Sequence, residues 1–291
     1  MSQLSNIIIS IIFDGLAYAM ILFIISVGLS VTMGLMGFVN LAHGVFAMAG
    51  GYFVTSLMSV VGVPFIPALL IAAAGVAVAS LPFERFLYAP LYKAGELDQV
   101  LLSIGLVFMA SASFTYFFGP DPVPIKVPDG LRGQVDLGFR SFPAYRLFMI
   151  AIGLSMAAGI WYGFEKTLIG ARVRAAVDNR MMAQSVGIDV DRLFLFTFAL
   201  GSGLAALGGG LAVDILGLSP SFAIQYLVLF LIVVAVGGLG TIKGTFVAAL
   251  VLGVIDNGGK YLWPEGGAFF IYAVTIVILL LKPAGLYGRH G

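Results

Sequence analysis

The residues of this chain that could do chemistry are few, and they fall in three short stretches. The first runs from Thr32 to Gly44 and carries Gly34, Gly37, Asn40, His43 and Gly44 within otherwise apolar sequence. Asn40 and His43 offer hydrogen bonds, and the glycines allow broken or closely packed helix. Polar side chains inside apolar sequence face either protein or a water-filled path. The stretch therefore reads as a pathway element, or as a pair of helix caps at a membrane interface. A lone histidine supports neither a metal site nor proton transfer. The second stretch, Gly237 to Gly244 (GGLGTIKG), has the same glycine-interrupted character and is followed, like the first, by small residues. It lacks the Lys-Ser/Thr ending and the strand-to-helix setting of a phosphate-cradling loop. Two such interruptions in corresponding halves point to a transport pathway, with Gly37, Asn40, His43, Gly44 and Gly240 as candidate lining residues.

The third stretch is Glu165 to Arg192, EKTLIGARVRAAVDNRMMAQSVGIDVDR, which holds Lys166, Arg172, Arg174, Arg180 and Arg192 out of 15 Lys and Arg in the chain. The spacing predicts one amphipathic helix over 170–188, opened after Gly170 and stopped by Gly187. Val173, Ala176, Val177, Met181, Gln184 and Ile188 fall near one face; Arg172, Ala175, Asn179, Met182 and Ala183 fall towards the other. Such a polar helix either lies on lipid headgroups or presents itself to a partner, because patterned apolar residues facing water are costly unless covered.

These stretches must be positioned by membrane helices. Hydrophobic residues make up 60% of the 291, charged residues 10%, and the mean hydropathy is +1.08. That is more apolar surface than a soluble core of this size buries, so lipid must cover much of it. Runs able to cross about 30 Å of hydrocarbon lie near 7–34, 44–62, 65–83, 99–118, 143–164, 193–216, 222–240, 244–262 and 266–282. The expected fold is an all-α polytopic transmembrane bundle of about 8–10 spans, with broken or re-entrant segments within 34–65 and 217–245. The chain reads as a single transmembrane domain over 1–291, with a cytoplasmic loop at 165–192 and an extracytoplasmic loop at 119–142.

Basic residues set the orientation, since short loops rich in Lys and Arg stay inside. No Lys or Arg precedes Arg85, which places the amino terminus outside. Alternation then puts 84–98 (Arg85, Lys93), 165–192 and the tail (Lys282, Arg289) in the cytoplasm. The rival loop carries Lys126, Arg132 and Arg140, balanced by Asp121, Asp129 and Asp136, and its prolines suit a rigid outer cap. A net charge of +1 gives no reason to expect nucleic acid, and a cysteine count of zero excludes disulfides and thiolate chemistry. No HExxH or GxSxG motif and no Asp/Glu/His cluster suggests an enzyme. The acids that an ion-coupled transporter would need are limited to Asp14, Asp214 and Asp256, each near a span end.

Three blocks, GLMGFVNLAHGVFAMAGGYF, GARVRAAVDNRMMAQSVGIDVDRL and VAVGGLGTIKGTFVAALVLGVIDN, resemble in order and spacing the signature regions of the permease subunits of branched-chain amino acid ABC importers. The short amino-terminal region and the NLAHG form are similar to the H-type subunit. The resemblance implies a bacterial-type inner-membrane permease with no cofactor and no covalent chemistry of its own. Its partners would be cytoplasmic ATP-binding subunits, a second and paralogous permease, an extracytoplasmic substrate-binding protein and membrane lipid. It also implies that Gly170, Arg172, Val173, Arg174, Val177, Arg180, Met181 and Gly187 form the ATPase-coupling element, its arginines at the rim of a groove and Val173, Val177 and Met181 within it. Permeases for urea, short amides and aromatic acids are similar, and an ion-coupled secondary transporter or channel is the alternative of another class.

Overall fold

A computed structural model describes residues 3–38, 40–92, 94–123, 127–136, 138 and 141–288. Lys93, Lys126, Arg140 and Arg289, used above for orientation, lie outside the described residues. Among the described residues, nine apolar helices occupy the nine expected runs: α1 (Gln3–Met36), α2 (His43–Ser56), α3 (Phe65–Phe83), α4 (Glu96–Phe118), α5 (Ala144–Lys166), α8 (Val190–Leu216), α9 (Phe222–Gly237), α10 (Ile242–Leu262) and α11 (Ala268–Leu281). Two short helices, α6 (Leu168–Asp178) and α7 (Arg180–Ser185), fill the polar insert. Among the described residues, seven helices are long and apolar enough to cross a membrane. The other two, α9 with 16 residues and α11 with 14, rise only about 24 and 21 Å. Both are shorter than the runs expected near 222–240 and 266–282, because Gly238 ends α9 and the Trp263–Gly267 turn delays the start of α11.

The bundle is built around α8, whose most apolar window is 67% buried against 11% for α4 and α5. The sequence explains this centrality through its small residues. Gly28 of α1 and Gly201 of α8 cross so closely that a methyl group on Gly28 would sit 2.5 Å from the Gly201 carbonyl oxygen. Gly209 meets the backbone of Ala47 on α2 in the same way. Helices in lipid gain no hydrophobic drive from one another, so dispersion across such close backbones holds them together. α4 and α5, with large apolar residues such as Phe108, Tyr116, Phe117 and Leu154 outward, leave that surface for lipid or another chain.

Connections collect at two ends. One end holds the C-terminus of α1, the segment after α3, the insert and the α9–α10 turn, joined by Gly34 against Gly240 and by Lys243 to Glu165 at 3.9 Å. The opposite end holds the start of α1 and the described residues between α4 and α5. There β1 (Gln134–Asp136) pairs antiparallel with β2 (Ser141–Pro143), Val135 opposite Phe142, and Phe142 packs on Phe13 at 4.3 Å between ring centres. Ser111 Oγ donates to the Pro220 carbonyl at 2.7 Å, and Val123 N to that of Leu218 at 2.8 Å, fixing the α8–α9 loop at this far end. α9 thus runs from the far end to the insert end. Its last carbonyls, on Val236 and Gly237, accept from the N–H groups of Leu286 and Tyr287 at 2.7 and 3.2 Å. The tail after α11 therefore returns to the insert end.

Candidate functional site

The insert is two helices and not the single one expected over 170–188. Asn179 takes an extended conformation (φ −156°, ψ 102°), and its side chain accepts from Met182 N at 2.9 Å as the cap of α7. Asn competes with helix by bonding locally to backbone, and it wins here. Thr167 caps α6 through Gly170 N. Gly187 ends α7 as expected: its φ is +87°, its N–H reaches the Gln184 carbonyl, and Ile188 N–H reaches that of Ala183, both at 3.0 Å. This is the Schellman pattern.

The two helices share an inner and an outer face. Gly170, Val173, Ala176 and Ala183 turn inward, the last three packing with Val190, Leu193, Phe194 and Met36. Val177 and Met181 point out, 46% and 79% exposed, beside Leu168, Ile169, Met182 and Val186. Two expectations fail: Val173 is spent inside the protein, and Ala183 lies on the inner face. The arginines also divide. Arg174 donates to the Phe164 carbonyl, while Arg180 bonds Asp191 at 3.0 Å and sits 4.9 Å over the Phe194 ring. Arg172 instead borders an open groove of about 620 Å³ with Ile169, Val186, Gly187 and Arg192.

Asn40 and His43, each 2% exposed, are buried at the start of α2. Asn40 Oδ1 accepts from Ala42 N at 3.1 Å and from the Tyr88 hydroxyl at 2.9 Å. His43 Nε2 lies 3.0 Å from the Ile25 carbonyl oxygen, a contact across the α1–α2 break. Asn40 Nδ2 and His43 Nδ1 have no hydrogen-bond partner among the described residues. Ala42, with no side-chain bond, is the cap residue of α2, so the Asn40 oxygen closes a local turn before the helix and does not cap it; both side chains keep unspent polar capacity, a costly condition for buried groups. Gly37 (φ +60°) has nothing within 4 Å of where a Cβ would stand, so the break opens there. Gly44 and Gly240 do not face open space: the first packs on Ala223, and the second (φ +74°) meets Gly34. The two glycine-interrupted stretches are therefore in contact with each other.

Beside them lies a group that sequence reasoning missed. α3 widens into a π turn over Glu84–Tyr88 and tightens into a 3-10 turn over Ala89–Leu91. Pro82 and Pro90, each lacking an N–H, favour these departures from α-helix. Tyr92 donates to the Glu84 carboxylate at 2.5 Å. Burial, reinforced by that carboxylate, pushes the Tyr92 hydroxyl well above the usual phenol range and keeps it a donor. Glu84, Arg85, Tyr92, Arg180 and Asp191 surround a cavity of about 380 Å³ between α3 and the insert. The four-residue spacing of Tyr88 with Tyr92 and of Phe194 with Phe198 was visible in the sequence, but such pairs are ordinary in helix cores.

The ionisable groups that ion coupling would need are compensated or at the rim. Asp14 pairs with Arg146, Asp256 with Lys260 at 2.5 Å, and Asp214 is exposed near the end of α8. Among the described residues, no group of His, Asp and Glu is placed to hold a metal ion.

A multi-pass helical bundle whose helices break beside buried polar groups is the construction of a membrane permease. Residues 11–279 match the family described as the branched-chain amino acid transport system permease component, and the chain belongs to that family. It is 26% identical to the high-affinity branched-chain amino acid transport system permease protein LivH of Salmonella typhimurium, over 95% of this chain and 94% of that protein. Identity is 25% to LivH of Escherichia coli K12 and 24% to BraD of Pseudomonas aeruginosa, with the same coverage. These relatives are transport permeases and not enzymes. No solved structure matches significantly.

Proposed function

We propose that this chain is the permease subunit of an ATP-driven ABC importer, carrying branched-chain or similar hydrophobic amino acids delivered by an extracytoplasmic binding protein. Cytoplasmic ATP-binding subunits seat on α6–α7, and a second, paralogous permease packs beside this one in the inner membrane. The whole chain acts as one transmembrane domain, with 165–192 inside and 119–142 outside. The observation that carries this reading is the two-faced insert. Its inner face fastens it to the bundle, while Val177, Met181, Met182 and Val186 stand exposed outward at the end where the helix breaks meet. Apolar surface in water is unfavourable by roughly 25 cal/mol per Å², so a partner that covers it gains that energy.

The charge distribution supports the sidedness. Arg85, Lys166, Arg172, Arg174, Arg180, Arg192, Lys243 and Lys282 belong to the insert end, against Arg132, Arg146 and Lys260 towards the far end. By the positive-inside rule the insert end is cytoplasmic, which puts the amino terminus outside and the tail inside. Substrate passes the α1–α2 break, where Gly37, Asn40 and His43 supply open backbone and spare hydrogen bonds. Gly44 and Gly240 serve by allowing close approach of the helices that must move.

The test is the pair Val177→Glu with Met181→Glu, assayed by recovery of ATP-binding subunits on the tagged permease. Both side chains are exposed, so insertion and thermal stability should stay as they are while the subunits are lost; undiminished recovery would refute the seat. Reversing Arg174 or Arg180 is a poorer test, since each is committed to an internal contact. Uptake of tritiated leucine into vesicles should require ATP, and uptake driven by an ion gradient without ATP-binding subunits would sink the importer reading.

A further inference from the structure

The insert and the α1–α2 break are joined by a continuous file of side chains. Arg180 of α7 lies over Phe194 of α8, and Phe194 meets Tyr92 edge-on at 5.5 Å between ring centres. Tyr92 meets Phe38 at 6.0 Å, and Phe38 meets Tyr88 at 5.0 Å. Tyr88 packs on Phe198 at 4.9 Å and donates its hydroxyl to Asn40. Phe198 continues through Phe46, at 5.6 Å, to His43. Phe38, Tyr88, Phe194 and Phe198 are each 2% exposed or less.

We propose that this aromatic file is the mechanical link of the permease, carrying displacement of α7 to Asn40 and His43 at the α1–α2 break, with Phe194 and Phe38 as positioning residues. The inference rests on the seat proposed for the ATP-binding subunits. Three features support it. Close-packed rings cannot be compressed, so a shift of one must be taken up by the next. The segment that carries Tyr88 is a π turn followed by a 3-10 turn, the kind of irregular helix that marks a hinge. The file also ends on two of the five buried side chains that, among the described residues, retain unpaired hydrogen-bonding atoms, which another arrangement of the break can satisfy. A competing route exists through Met36, which closes α1 and packs against the Val173 cluster.

Hydrogen exchange on the intact complex, pulled down through this chain with its ATP-binding subunits, separates the routes. A non-hydrolysable ATP analogue should alter exchange over both 168–188 and 37–44 in the unmodified complex. Phe194→Leu removes the ring and keeps an apolar side chain; it should leave the 168–188 response and abolish that at 37–44. Phe38→Leu should do the same, and the double variant should add nothing, as expected for residues acting in series. Tyr92→Phe keeps its ring and should keep the response at both places. If either leucine variant retains the 37–44 response, or if 37–44 is silent in an unmodified complex whose insert responds, the link is wrong. If 168–188 is itself silent, the proposed seat fails first and the link falls with it.

Discussion

At the scale of single residues, the buried carboxylate of Asp256 is held by a neighbour that compensates it. Asp256 is 4% exposed and reaches Lys260 one helical turn on, whereas the lysine side chain is half exposed and lies 5.7 Å from the Tyr18 ring. The two partners are therefore unequal. Lys260→Ala strands a buried carboxylate and should cost about 1–3 kcal/mol, the desolvation penalty of a buried group without a partner. Asp256→Asn frees a lysine that can turn to the interface and should cost less. Thermal unfolding of both variants in one detergent checks the order, and equal losses would contradict it. The sequence disclosed this pair only as an acid near a span end followed four residues later by a lysine; their depth was set by the packing of α10 on α1.

At the scale of elements, the decisive detail is the break at Asn179. Ala183, two turns beyond Ala176, lies on the inner face with it, and Met181, one turn beyond Val177, lies outside, so α7 restarts with its methionines exposed. Asn179→Ala removes the α7 cap, a loss of about 1 kcal/mol, and should speed amide exchange over 180–186 while leaving α8 unchanged. Unaltered exchange in that window would mean the cap is not what holds α7. The helices themselves were legible in the sequence because apolar runs of this length leave few alternatives. The C-stop at Gly187 was legible too, since its left-handed conformation suits glycine. The division of the insert was not, because Asn179 can sit on a polar helix face as readily as it can cap, and only the docking of α6 and α7 on α8 selects the cap. The ring file was hidden for a related reason: Phe38, Tyr92 and Phe194 come from three separate segments, and nothing local marks them as neighbours.

At the scale of the whole molecule, the loops sort into two ends, and the proposed orientation assigns each to a side of the membrane. The native chain contains no cysteine, so single-cysteine reporters report cleanly. Val186→Cys should react with an impermeant maleimide only in inside-out vesicles, and Glu265→Cys only in right-side-out ones. The reverse pattern would invert the molecule. One further property follows from the return of the tail to α9. The carbonyl of Gly237 has the Thr241 hydroxyl, but its backbone partner and that of Val236 arrive only when residues 286 and 287 have been made and have reached them. The junction where the two glycine breaks touch is thus the last part of the bundle to close during synthesis. A chain interrupted a few residues early would have every span in the membrane and still lack the clasp that holds those breaks together, leaving an unfinished end for proteolytic quality control to find.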